Sequence, residues 1–470
     1  MAENEFCIPS CVREELAAMG YALPGDMSGR IEGWYSWYTG TAGWYEEHYV
    51  GVDSRRHKRS KLSLHPARRV CREWAGLIAN EMGAQTDSPR ANEWLRGYCA
   101  RTDLFTLFQR GIERAFAMGT GAMALWFDVG EGGASVRVRR YDAKMVVPLT
   151  WDEDGTTECA FCTQVRMAGR PAVQMQLHRI DPSTGTYHIV TRIWDADGRA
   201  VGEAAAGIIA DFDTQCRTPT FCLLSPAIDN TAMDNSPYGM SVFADAVDTI
   251  KVLDTAWTAL YDETDLMRAV LMLPDSMIDS EPGPDGRPRP VPFGDQEQRL
   301  YRKVSGGLDG DEKPYCFAPQ MRTSSIYETY SAALSALGDE CGFGSQYFRP
   351  DKSGGMKTAT EVSADNSALM RNLRNHENAL GRALGTLLTS LVECARIHCG
   401  APVEQDAEPV RIAWDDSIIT DTASAKQMDL AEIAALGVPE LKRRYLVRWC
   451  GMSPDEAADA LGEAASGEVF

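Results

Sequence analysis

Residues 241–270 read SVFADAVDTIKVLDTAWTALYDETDLMRAV and contain neither Gly nor Pro. Phe243, Val247, Ile250, Leu253, Trp257, Leu260, Thr264 and Met267 recur in steps of three and four. That spacing lays one apolar stripe along a helix, which over the whole stretch would be about 45 Å long. Ser236-Pro237 or Ser241 can cap its start. The other faces carry Asp245, Asp248, Asp254, Asp262, Glu263 and Asp265 against only Lys251 and Arg268. A long helix with acidic faces suits either solvent or a wall beside a polyanion that must not stick.

Toward the C-terminus, residues 271–320 include the Pro/Gly-rich EPGPDGRPRPVPFG, which predicts short strands around a protruding loop. TSSIYETYSAALSALGDE predicts a helix over 323–340. The Gly-rich GFGSQYFRPDKSGG (342–355) separates it from a very long helix, expected from Thr358 to His398. The stripe of that helix is Val362, Leu369, Leu373, Leu380, Leu384, Leu387, Leu391 and Ala395, and Gly381 and Gly385 within it are spaced for a close contact. VRIAWDDSI follows as a short strand. Val438-Pro439 and the capping box Ser453-Pro454-Asp455-Glu456 then open small helices.

Toward the N-terminus, the span from 121 to about 225 alternates strand patterns with the turns GEGG, DEDG, DPSTG and DADG. This is an antiparallel sheet region. Before it, Val70, Trp74, Leu77 and Ile78 share a face of a helix over 66–82. Leu104, Phe105, Phe108, Ile112 and Phe116 do the same over 101–118. The Trp- and Tyr-dense 31–50 reads as a segment docked on a neighbouring surface rather than a free-standing element. Arg55, Arg56, Lys58, Arg59, Lys61, Arg68, Arg69 and Arg72 then form a basic run with no acid between its ends. It reads as a solvated loop entering a helix, or as an inter-subunit or nucleic-acid contact.

The chain of 470 residues has a formal charge of -20. Proteins that grip DNA by its phosphates present a basic face, so this balance argues against a sequence reader or a nuclease groove. It leaves room for a sleeve around moving DNA, where tight phosphate contacts would act as a brake. No apolar run reaches the length of a membrane span, and the acidic N-terminus is not a signal peptide, so a soluble cytosolic product is expected. Thirteen cysteines show a single CxxC, Cys159 and Cys162, with no second pair to complete a zinc site. Reduced structural thiols and no metal are expected.

Catalytic patterns are missing. SGGMKTAT (353–360) lacks the Gly that a phosphate-binding loop places directly before its Lys. The seven histidines include no HExxH, and no GxSxG elbow occurs. His376 and His398 on the long helix read as packing residues. No cofactor is expected.

Taken in order, these elements resemble the tailed-bacteriophage portal proteins, the siphophage-type head-to-tail connectors. The strings that carry the likeness are NSPYGMSVFADAVDTIKVLDTAWTALYDETDLM (235–267), SSIYETYSAALSALGDECGFGSQYF and KSGGMKTATEVSADNSALMRN. KTATEV (357–362) is the most portal-like of them. WDDSIITDTASAKQMDLAEIAALGVPELKRR with MSPDEAADAL is similar to a portal crown. SLHPARRVCREWAGLIANEMG and LFQRGIERAFAMGTGAMALWFD are similar to a portal wing. The likeness spans about residues 30–465, and the aromatic 31–50 segment departs from it.

The resemblance implies an α+β, mostly helical portal fold with its antiparallel strands in the wing. It divides the chain into a wing (1–235), a stem helix (236–270), a clip (271–320) and a second stem helix (321–342). A tunnel loop (343–357), a long wing helix (358–399) and a crown (400–470) complete it. It further implies a non-enzymatic homo-oligomeric ring, a dodecamer in the virion, assembled in the host cytoplasm at the capsid portal vertex. Double-stranded DNA would pass through it without sequence specificity. Terminase large subunit and then head-completion adaptor proteins would dock on the clip, and major capsid and scaffolding proteins would contact the ring. Gln346, Tyr347, Phe348, Arg349, Lys352 and Ser353 are then candidates to touch DNA. Asp248, Lys251, Asp254, Asp262 and Glu263 would line the stem, and Arg287 and Arg289 would serve docking. The rival expectations are an oligomeric minor capsid or scaffold protein without a DNA channel, and a DNA-processing enzyme.

Overall fold

The structure, a computed structural model, describes residues 8–51, 53–80, 82–130, 133–167, 169–202, 208–266, 269–274, 277–278, 280–284, 286–290, 301–304, 313–349, 359–404, 409–414, 426, 429–434, 437–450, 457 and 460–461. Two compact units emerge, Met1–Ala79 with Ala84–Ile412, and Asn80–Gly83 with Ala413–Phe470.

The larger unit opens with α1 (Ser10–Ala18) and α2 (Ser28–Thr39). A hairpin of β1 (Glu46–Val50) and β2 (Arg56–Ser60) follows. The aromatic 31–50 segment is therefore mostly a helix and a strand of its own. Ile31, Trp34 and Tyr38 bury one face of α2, so tertiary packing overrides the weak helix preference of Trp, Tyr and Gly. The basic run is half strand as well. Both strands of the hairpin are solvent-exposed, so no alternation marked them in the sequence.

Helix α3 (Pro66–Ile78) starts on a proline and buries Val70, Cys71, Trp74, Ala75 and Ile78, ending short of the expected residue 82. After the short β3 (Gly83–Gln85) comes a helix that the apolar patterns did not mark, and then the helix expected over 101–118. These are α4 (Pro89–Thr102) and α5 (Leu104–Met118), broken at Asp103 with φ 50°. The start of α4 was written in the sequence: the Ser88 hydroxyl accepts from Ala91 N–H at 3.2 Å, and Pro89 occupies the first turn.

Two antiparallel sheets follow. One has the order β11-β4-β5, with β4 (Gly121–Gly130), β5 (Gly133–Asp142) and β11 (Phe221–Leu224). The other has the order β10-β9-β8-β7-β6. Its strands are β6 (Val146–Asp152), β7 (Gly155–Met167), β8 (Arg170–Ile180), β9 (Tyr187–Asp195) and β10 (Asp211–Asp213). Phe161, Tyr141, Val146 and Phe221 form a core between the sheets, and Leu149, Met175, Leu177 and Val190 form a second core under α1. Cys159 packs into the first, while Cys162, three strand positions on, borders the second. An odd offset along a strand sends the two thiols to opposite faces, so this CxxC cannot chelate.

Helix α6 (Val247–Leu266) is shorter than the expected 241–270. Ser241 and Phe243 are fully buried in turns ahead of it, and the Ser241 hydroxyl donates to Phe116 C=O rather than capping the helix. Strands β12 (Val270–Pro274), β15 (Tyr301–Val304) and β16 (Tyr315–Phe317) form a small mixed sheet. Strands β13 (Ser280–Pro282) and β14 (Pro288–Pro290) pair as a hairpin. Then come α7 (Thr323–Glu340), α8 (Ala359–Cys399) and the short β17 (Arg411–Ala413). The 41 residues of α8 bury Leu369, Leu373, Leu380, Leu384, Leu387 and Leu391 against α3, β4, β5 and β11. A side chain at Gly385 would strike the Val410 carbonyl oxygen, so that glycine serves a close backbone approach. In the smaller unit, α9 (Pro439–Cys450) starts at the expected proline, and Trp449 Nε1 donates to Asp429 at 2.6 Å. The capping box at 453–456 lies outside the described residues.

Two buried histidines make stability depend on pH. His178 is fully enclosed with Nδ1 2.7 Å from Thr220 Oγ1, and burial lowers its pKa from 6.5 to about 3. His376 accepts from Ala227 N–H at 2.9 Å through Nδ1, and burial lowers it to about 4. The unfolded imidazoles protonate near pH 6.5, well before the native ones. Between those values the unfolded chain binds more protons, and stability falls as pH drops. Urea midpoints are expected to decline from pH 6.5 toward 4, and His376→Gln should flatten that slope; an equal slope in the variant would assign the acid sensitivity elsewhere.

Candidate functional site

Helices α6 and α7 run antiparallel. Arg322, just before α7, bonds Glu263 near the end of α6 at 2.7 Å, and one to two turns further in Trp257 faces Tyr330 at 6.3 Å. Ile250, Leu253 and Ala256 of α6, with Ala333, Leu334 and Leu337 of α7, are buried.

The carboxylates expected to line this pair have divergent fates. Asp254 is fully buried and accepts three hydrogen bonds: Tyr45 Oη at 2.7 Å, Ser63 Oγ at 2.8 Å and Leu64 N–H at 2.9 Å. Burial and the neighbouring carboxylate push the Tyr45 hydroxyl well above its usual pKa, so it stays a donor. Asp262 binds Arg59 of the hairpin through both oxygens at 2.6 Å, which raises the pKa of that guanidinium. Glu263 is 3% exposed and paired with Arg322. These three acids hold the subunit together and are spoken for within it. Asp248 is open to solvent, with Lys251 Nζ 2.7 Å away. The exposed acids of the pair are therefore Asp248, Glu328, Asp339 and Glu340, three of them on α7, with Asp245 just ahead of α6.

The Gly-rich loop begins as a docked turn. Phe343 and Gly344 N–H both donate to Gly338 C=O, and Gly342 and Gly344 have φ of 83° and 89°, which a side chain would strain. Phe343 is buried against Trp74 at 4.3 Å between centroids. Trp74 Nε1 donates to Cys341 C=O at 3.0 Å and presents its edge to His376 at 4.7 Å. Phe348 is also buried, against Phe343 and beneath Arg69. It packs inside the subunit, where the sequence had suggested contact with a polymer. The Tyr347 hydroxyl donates to Glu73 at 3.1 Å, while Gln346 and Arg349 are exposed. Lys352 and Ser353 lie outside the described residues. Three aromatics within six loop residues were the sequence signal for this docking.

Arg287 is exposed in the turn joining β13 to β14, and its carbonyl accepts from Gly283 N–H; Arg289 lies on β14 opposite Glu281. Among the described residues no group of three or more His, Cys, Asp or Glu could hold a metal, and no helix is long and apolar enough to cross a membrane.

Helix, small strands, helix, Gly-rich turn and very long helix thus stand in the expected order. A family described as "Phage portal protein, SPP1 Gp6-like" matches residues 28–440. The chain belongs to this portal protein family. The match runs from α2 into α9, so it takes in every helix from the aromatic segment to the smaller unit. Portal proteins are structural rather than enzymatic, and form the phage head-tail connector. None of the curated proteins matches the chain. Among solved structures it is similar to a chain in the neck of an empty GTA particle computed with C6 symmetry. That likeness has 15% identity and a TM-score of 0.43, covering 92% of this chain and 99% of the other.

Proposed function

We propose that this portal protein forms a closed ring at one capsid vertex, through which double-stranded DNA is packaged and later ejected. The family match over residues 28–440 carries this reading. In the ring, residues 236–270 and 321–342 serve as stem, 271–320 as clip, 343–357 as tunnel loop, and 1–235 with 358–399 as wing. Residues 400–470 form the crown. The clip, with Arg287 and Arg289, offers the docking platform for the terminase large subunit during packaging and for head-completion adaptors afterwards.

The exposed acids Asp245, Asp248, Glu328, Asp339 and Glu340 give the stem a negative surface that repels phosphates, so that DNA slides rather than sticks. Asp254, Asp262 and Glu263 support that wall from within the subunit. At the loop, Gln346 and Arg349 reach solvent and, with Lys352 and Ser353, are the proposed transient contacts to DNA.

Negative-stain images of purified protein, paired with native mass measurement, should show annular particles of one stoichiometry. A monomer at every concentration would overturn the proposal. Replacing Gln346, Arg349, Lys352 and Ser353 together by Ala, which spares the buried Phe348, should leave the rings intact and impair DNA packaging in an assembly assay. Normal packaging by that variant would remove the loop from the mechanism.

A further inference from the structure

A groove of about 480 Å³ opens where α5, β5 and β7 meet. Residues Val138 to Tyr141 of β5 border one side and Thr163 to Val165 of β7 the other. Side chains alternate between the faces of a strand, so consecutive residues along a border mean that the groove follows strand edges rather than a sheet face. The β5 border is partly capped, since the Tyr98 hydroxyl donates to Val136 C=O at 3.2 Å, whereas the β7 border is vacant among the described residues. Strand β5 is the outermost of its sheet. Strand β7 has neighbours on both sides only as far as Phe161; from Cys162 to Met167 it pairs with β8 alone. Every second residue of that free stretch turns its N–H and C=O toward the groove, and an open ladder of this kind recruits another strand.

The charge of the groove runs against that of the chain. Arg110, Arg139 and Arg140 stand around it in a protein of net charge -20. Arg137, on the same strand, is neutralised by Asp128 at 2.9 Å. Arg139 instead lies over the Trp126 ring at 3.4 Å, and Arg140 donates to Arg110 C=O with Asp142 3.9 Å away. Among the described residues no carboxylate pairs with Arg110 or Arg139. Leu107, Val138 and Val165 supply apolar lining between these cations. Vacant backbone groups, cations and apolar lining together ask for a polypeptide; a nucleic-acid backbone has no amide ladder to match the strand and gains nothing from the apolar lining.

We infer that this groove takes an extended acidic segment of a partner protein, added as a strand to the free edge of β7 with its carboxylates against Arg110, Arg139 and Arg140. Strand addition supplies affinity through main-chain hydrogen bonds, and the arginines select for acidic residues flanking an apolar one. The site stands on the geometry of these strands alone and does not depend on the ring reading.

A fluorescein-labelled peptide of alternating Glu and Val, titrated into the full-length protein in whatever state it is purified, tests it by anisotropy. Saturable binding is expected, together with new hydrogen-exchange protection over residues 162–167. The Arg110→Glu/Arg139→Glu variant changes two exposed side chains, and its folding is checked by circular dichroism. It should bind about tenfold or more weakly. The same peptide N-methylated at alternate residues should not bind, because it lacks the donors that strand addition needs. The inference is overturned by absence of binding, by equal binding of the N-methylated peptide, or by displacement with polyphosphate at matched charge. Binding to dissociated subunits but not to rings would overturn it in favour of a neighbouring copy on that edge.

Discussion

Asp254→Ala is expected to lower the unfolding free energy by about 2–4 kcal/mol, because it removes the shared acceptor of one buried and two half-buried donors at once. Tyr45 Oη, Ser63 Oγ and Leu64 N–H converge on that one carboxylate, joining the segments on either side of the β1–β2 hairpin to α6. A truncated side chain leaves the buried Tyr45 hydroxyl without its acceptor, while Ser63 Oγ keeps only its 3.1 Å contact with Tyr45 Oη. Asp254→Asn keeps the volume and one acceptor oxygen, so it should fall between the variant and the parent. Asp248→Ala, one and a half turns earlier on the same helix and exposed, should leave the midpoint in place. Urea denaturation of the three variants side by side measures this. Equal midpoints for Asp254→Ala and Asp248→Ala would dismiss the carboxylate as a structural hub.

Trp74→Ala should cost about 3–5 kcal/mol, in the range of other buried Trp and Phe truncations. The larger expected consequence is local. Trp74 stacks on Phe343, holds the Cys341 carbonyl and abuts His376, so it ties the Gly-rich turn to α3 and α8 together. Without it, the amides of Phe343 and Gly344, which donate to Gly338, should exchange with solvent far faster than those in the middle of α5. Trp74→Phe keeps a ring against Phe343 but loses the N–H, and should cost about 1 kcal/mol with most of the protection retained. If global stability falls in Trp74→Ala while protection at 343–344 is unchanged, the indole fills space and does not hold the loop.

The long elements were legible because their signals are periodic. The helix over 323–340 was read to the residue, and α8 within one residue at either end. The errors have particular causes. The apolar stripe of α6 runs back to Phe243, whose burial serves a turn, and the Gly- and Pro-free run reaches Ser241, so together they placed the start six residues before Val247. The exposed hairpin had no pattern to offer. Asp254 was placed among the outward acids, although it follows Ile250 by one turn and adjoins Leu253. That position lies on the flank of the apolar stripe, so its burial was open to inference. The pairing of Asp262 with Arg59 spans about two hundred residues and left no local trace. Phe348 was misjudged because a Gly-rich loop suggests exposure, while the adjacent aromatics were announcing an anchor. The free edge of β7 could not be read at all, since it depends on where β6 stops pairing.

The docking of α8 on α3, β4, β5 and β11 also bears on how the subunit is made. Leu384, Leu387 and Leu391 complete a core whose other walls are encoded between residues 66 and 224. A ribosome adding about 5–20 residues each second leaves those walls uncovered for roughly ten to thirty seconds before α8 emerges. During that interval the nascent chain presents a bare apolar trough together with an unpaired strand edge. Completion of this core therefore waits on the synthesis of the late helix, and the early half of the chain is open to aggregation until it arrives.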